Sequence, residues 1–232
     1  MENFSGIFTA LCAAVLPIAL AVVLCVRKKG IWKPILFGAL TFCFFQVLTR
    51  IPLLGLVLAK QAWFIALSAA QPILYALFLG ATAALFEEGG RFIVMSLFLK
   101  KQRSPLDGIA FGVGHGGIEA LLFAGINAIF MLATQTFTST PNLIIAGGVE
   151  RLSAITMQIG FSVMVIKSVR EKKPLWLLLA FVIHTVSDFG AVLASGTLNV
   201  WVIEAAIAAV AVLMALFVVR EYKRFPCIPK EN

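Results

Sequence analysis

Charge is scarce in this chain. Only 13% of its 232 residues are Asp, Glu, Lys or Arg, about half the share of a soluble domain. Histidine occurs only as His115 and His184. The four cysteines, Cys12, Cys25, Cys43 and Cys227, form no C-x-x-C pair, which excludes a zinc ribbon and a disulfide framework. Three of them stand in apolar stretches, where a thiol behaves as a small hydrophobe. Cys227 precedes Lys230-Glu231-Asn232 and fits no C-a-a-X prenylation box. There is no Walker A loop, no dinucleotide-binding G-x-G-x-x-G after a strand, and no G-x-S-x-G nucleophile elbow. No fixed-period repeat or low-complexity stretch is present.

Apolar residues fill the space left by charge: 61% of the chain is hydrophobic and the mean hydropathy is +1.00. Runs of about 20 or more apolar residues suffice to cross ~30 Å of hydrocarbon. Seven such runs occur, near Phe4–Val26, Pro34–Ala59, Pro72–Leu99, Pro105–Thr134, Leu143–Ile166, Pro174–Ala194 and Asn199–Val219. Several open near proline, which the first helical turn tolerates. The stretch 61–71, cut by Pro72, is expected to be a short interfacial helix. The expected fold is therefore all-α: one polytopic bundle over residues 1–232, with its catalytic core in helices of about 72–194.

Lysine and arginine concentrate in every second connection: Arg27 to Lys33, Lys100 to Arg103, Lys167 to Lys173 and Arg220 to Lys230. The positive-inside rule then puts the N-terminus outside and the C-terminus in the cytosol. Lys60 is the exception. Attraction to anionic lipid accounts for the net charge of +8 without any nucleic acid. The first run, preceded by Glu2 and followed by a basic cluster, reads as a retained reverse anchor. Trp32, Trp63 and Trp201 fit interfacial anchoring.

Against this background three segments stand out: Glu87-Glu88-Gly-Gly-Arg91, Phe111-Gly-Val-Gly-His115 with Glu119, and His184-Thr-Val-Ser-Asp188. An ionisable group inside a bilayer costs several kcal/mol, so clusters of them mark function. At about 1.5 Å rise per residue, Glu87 lies roughly 20 Å from the cytosolic boundary, His115 and His184 about 15 Å, and Glu119 and Asp188 about 21 Å. Glu87 and Arg91, His115 and Glu119, and His184 and Asp188 are each one helical turn apart. Three polar stripes at one depth are expected to make one polar chamber.

These motifs resemble the CAAX-protease-like intramembrane proteases, a superfamily that includes bacteriocin-processing and immunity relatives and, more distantly, PrsW-type proteases. Phe86-Glu87-Glu88-Gly89-Gly90-Arg91, Gly112 to Glu119, Glu150-Arg151 and His184 to Phe189 are similar to the YhfC-like bacterial branch, whose members are labelled metalloproteases. The resemblance implies an integral protein of a bacterial cytoplasmic membrane. It also implies that Glu87 activates water, while Phe111, His115, His184 and Asp188 fill the downstream motifs. The prenyl-protein proteases differ: they carry one more residue between the acidic pair and the arginine, and asparagine in place of Asp188.

Amide hydrolysis needs an activated water, a stabilised oxyanion and a proton for the leaving amine. The expected catalytic set is Glu87, Glu88, Arg91, His115, His184 and Asp188, the adjacent glutamates acting as a coupled pair. The histidines either bind the water or oxyanion directly or ligate zinc or another divalent metal, with Glu119, Asp188 or Glu87 completing a set of two histidines and a carboxylate, His115, His184 and Glu119 being the set named first. Asp188 alternatively orients the His184 ring. Gly108, Gly112 and Gly116 form a ladder for close helix packing; bare backbone beside His115 would also let an extended peptide approach. Arg50 and Glu150 are expected to pair structurally, Glu204 to be solvated, and Gln46, Asn127 and Gln158 to bond between helices. The expected partners are membrane lipid and a membrane protein or peptide substrate. Two rivals remain: a proton- or ion-coupled transporter, and an immunity or assembly factor.

Overall fold

The computed structural model describes residues 1–225; Cys227 and Lys230, which entered the lipidation and topology readings, lie outside the described residues. Among the described residues eight helices follow one another: α1 Glu2–Arg27, α2 Trp32–Lys60, α3 Ala62–Ala70, α4 Pro72–Phe98, α5 Pro105–Thr134, α6 Pro141–Glu171, α7 Leu175–Ala194 and α8 Val200–Arg224. All but α3 are long and apolar enough to cross a bilayer, and no strand occurs among the described residues. The short α3 forms within the stretch 61–71, where a short helix was expected.

Local signals set the boundaries. Ser104 and Asp107 cap each other at the start of α5, with Ser104 N–H donating to Asp107 at 2.9 Å. Pro72, Pro105 and Pro141 stand in the first helical turn. Wider π-type turns interrupt α1 at Leu11–Val15, α2 at Cys43–Arg50 and Leu53–Val57, and α5 at Leu121–Gly125. Pro17 and Pro52 follow two of these stretches closely. Their rings clash with the carbonyl four residues back, and a wider turn relieves that clash.

Helix α6 is the axis of the bundle, buried along most of its length. It packs against α5 and α8, while α4 runs along α7 and α2 along α5. Glycines permit these approaches: a Cβ on Gly112 would lie 2.4 Å from Ile159 Cα of α6, and one on Gly114 only 1.9 Å from the Ile35 carbonyl of α2. With no hydrophobic drive between helices in lipid, such close packing supplies the association energy. The ladder of Gly108, Gly112 and Gly116 therefore serves packing against α6. The expectation of bare backbone open to a peptide beside His115 is corrected, because α2 covers Gly114 and Pro17 of α1 covers Gly117.

The basic connections meet at one end. Lys28 pairs with Asp107 at 3.8 Å, Gln102 donates to the Gly30 carbonyl at 3.0 Å, and Arg170 donates to the Arg103 carbonyl at 3.3 Å. Buried Lys167 donates to Glu221 at 2.7 Å and lies 3.8 Å from the Trp176 ring centre. A core of Met95, Leu99, Phe111, Phe161, Ile166 and Met214 separates this end from the polar layer.

Candidate active site

Glu87 and Glu88 are neighbours on α4, yet they join different groups, because consecutive helical residues point about 100° apart. Glu87 faces α2, α5 and α6. Its Oε1 accepts from Gln46 Nε2 at 2.7 Å, and its Oε2 lies 3.0 Å from His115 Nε2 and accepts from Gln158 Nε2 at 3.1 Å. Glu88 faces α7 and lies 2.7 Å from His184 Nδ1. Arg91 joins the two, hydrogen-bonded to Glu88 and 3.5 Å from Glu87. Arg91 and His115 are fully buried, and the two glutamates nearly so.

Aromatic rings fix both imidazoles. Phe161 stacks on His184 with ring centres 4.9 Å apart, and Phe42 meets His115 edge-on at 5.2 Å. Phe111, one turn before His115, belongs to the apolar core below. Asp188 lies 3.6 Å from His184 Nε2.

A cavity of about 280 Å³ opens beside these groups, with Gln46, Glu87, Glu119, Gln158, His184 and Asp188 on its wall. Glu150 and Arg151 of α6 line it too. Glu88 does not; it is closed off behind Arg91 and His184. The convergence expected from sequence is thus present: Glu87, Glu88, Arg91, His115, His184 and Asp188 form one connected cluster.

Glu119 shares the face of His115 as expected, and it bonds to Gln158 at 2.6 Å and to Arg151 at 3.3 Å. Several details depart from expectation. The Arg50–Glu150 pair does not form: Glu150 is hydrogen-bonded to Arg151, and Arg50 donates to the Leu79 carbonyl at 2.7 Å, to Thr82 at 3.2 Å and to Gln46 at 3.2 Å. The wider turn at Cys43–Arg50 sets Gln46 and Arg50 toward α4, so Arg50 braces the amide that holds Glu87. Glu204 is buried at 7% exposure rather than solvated, because it stands on the face of α8 turned into the bundle.

Gln46 and Gln158 are the residues that sequence reasoning undervalued. Gln158 reaches Glu87 and Glu119 through its Nε2 and accepts from Arg91 through its oxygen. The available signal was an amide on an otherwise apolar face, which for most membrane helices means no more than an interhelical bond.

Glu87, His115 and Glu119 offer one ligand atom each within 4.8 Å of one another. One imidazole with two carboxylates suits zinc or a harder divalent ion. His184 stands outside this trio, on Glu88. The carboxylates are held by Gln46, Gln158 and Arg151, as ligating carboxylates generally are. The buried His115 Nδ1 has no partner, so the imidazole lacks the usual outer support. On balance the residues fit a divalent metal.

The family model described as YhfC intramembrane metalloprotease matches residues 12–143 and 129–210. The chain belongs to this YhfC family. A relative from Bacillus subtilis (strain 168), described as uncharacterized membrane protein YhfC, is 34% identical over 223 residues, covering 81% of this chain and 84% of its own length. No solved structure matches the chain. With its seven helices long and apolar enough to cross a bilayer, this YhfC family member is an integral membrane protein, and the family's name points to metal-dependent proteolysis.

Proposed function

We propose that this protein is an intramembrane endopeptidase that hydrolyses a peptide bond within the bilayer, with Glu87 activating the attacking water. The observation that carries this reading is the Glu87 carboxylate on the wall of a polar cavity, braced by Gln46, Gln158 and His115 from three other helices. Such bracing holds a base in one orientation without reorganisation during reaction. The cavity favours Glu87 over Glu88 as base, since a base must reach the water it deprotonates.

The remaining residues divide the work. His184, with Glu88 on one ring nitrogen and Asp188 near the other, is suited to hold a proton for the leaving amine. Arg151, on the cavity wall, is the cation suited to a developing oxyanion. His115 and Glu119 would hold a divalent ion beside Glu87, and the ion when bound would supply Lewis acidity at the scissile carbonyl. Arg91 keeps both glutamates oriented. The alternation of basic connections supports an outside N-terminus and a cytosolic C-terminus, with the bacterial cytoplasmic membrane as the site of action.

The test is cleavage of a library of membrane-spanning peptides by the purified protein in vesicles. Glu87→Gln is expected to abolish cleavage while the protein still folds. A parent protein that cleaves nothing across the library would leave a non-hydrolytic carrier or assembly factor as the reading.

A further inference from the structure

A second cavity, of about 250 Å³, lies between α7 and α8. These helices pack only slightly on each other, since α8 lies mainly along α6 and α7 along α4. The splay leaves a groove with Gly190 and Ala194 on one wall and Val202 and Ala206 on the other. Ser187 is its one polar lining side chain among the described residues. Ser187, Ala191 and Ile207 also line the cavity that holds Glu87. The groove and the polar chamber therefore lie side by side, with three residues common to their walls.

We infer that this groove seats an extended, apolar stretch of about three substrate residues flanking the scissile bond. The inference rests on the protease reading above and names the part of the substrate that the site grips. Dimensions limit the occupant. Ser187 to Ala194 spans about 10 Å at ~1.5 Å per residue, the length of about three residues of extended chain. A whole helix, about 10 Å across with side chains, is too wide for the volume.

Polarity sets the orientation. Inside lipid a peptide's N–H and C=O groups must be satisfied within protein. The groove offers almost nothing to them, whereas the adjoining chamber holds Gln46, Gln158, Arg151 and His184. The backbone at the scissile bond therefore lies on the chamber side, and apolar side chains fill the groove. Lipid already solvates such side chains, so the groove selects by shape rather than by a hydrophobic gain.

Gly190 makes this testable, since a Cβ there would meet nothing within 4 Å. Gly190→Phe fills the groove, Ala206→Phe fills it from the other wall, and Gly190→Ala leaves it open. The probe is a membrane-spanning leucine–alanine peptide carrying photo-leucine at successive positions. It is mixed with cleavage-silent Glu87→Gln protein in vesicles of phosphatidylethanolamine and phosphatidylglycerol. Crosslinks to Ala194 and Val202 are expected from one window of about three consecutive positions. They should fall to background in either Phe variant and persist in Gly190→Ala, with melting temperatures unchanged. Crosslinks that survive a folded Phe variant, or that map elsewhere, overturn the inference. A photoactivatable phospholipid tail that labels the same residues and resists excess peptide also overturns it, making the groove a lipid site. Crosslinks as expected, with no hydrolysis by the parent protein, would retain the groove as a peptide seat and reject the protease reading alone.

Discussion

The groups around Glu87 and Glu88 begin one residue apart and end as different environments. Glu87 stands on a cavity wall, held by two amides and one imidazole, with the Arg91 guanidinium 3.5 Å away. Glu88 is sealed between Arg91 and His184, with one oxygen left unpartnered. The first arrangement leaves a carboxylate oriented and reachable; the second balances a buried guanidinium. A pair that reads as a repeated acid in sequence is thus divided into a chemical residue and a supporting one.

The largest expected contrast follows from that division. Glu87→Gln should lower cleavage by about 100-fold or more, the range seen for loss of a general base, and cost about 1–3 kcal/mol for the bonds that the carboxylate accepts. Glu88→Gln should do the reverse, destabilising the fold by about 3–5 kcal/mol because Arg91 loses its bonded counter-charge. Comparable losses of activity and stability in both variants would erase the distinction. Metal content is the next separator. By elemental analysis, His115→Ala should drop any bound divalent ion to background while His184→Ala retains it, since His184 lies outside the trio of candidate ligands.

Arg91→Gln tests the link between the two environments. It should cost about 3–5 kcal/mol in thermal unfolding, and less when combined with Glu88→Gln, since the double variant buries no unpaired charge there. Gln158→Leu removes partners of Glu87, Glu119 and Arg91 and should cost about 1–3 kcal/mol, with a cleavage loss larger than that of Thr82→Val. The latter removes one bond to Arg50 and should cost about 1 kcal/mol. It is the smallest of these effects, because Arg50 keeps the Leu79 carbonyl and Gln46.

Much of the site was legible because i,i+4 spacing and distance from a basic boundary are local quantities. Counting rise per residue brought Glu87, His115 and His184 to one layer, and the helices do bring them into one cluster. Pairing across helices was not legible. Arg50 and Glu150 share a depth, yet the rotation of α2 through its wider turns sends Arg50 to α4. Glu204 was assigned to water from its nearness to a helix end, but helix facing, not depth, decides burial.

The amino-acid order alone determined the helical class, the span boundaries and the layer at which polar groups lie, because apolar run length and proline position act within a few residues. Only the tertiary structure decided which acid meets which base. Those choices depend on helix rotation and on glycine-permitted approach distances, which are fixed by contacts between segments tens of residues apart and leave no local trace.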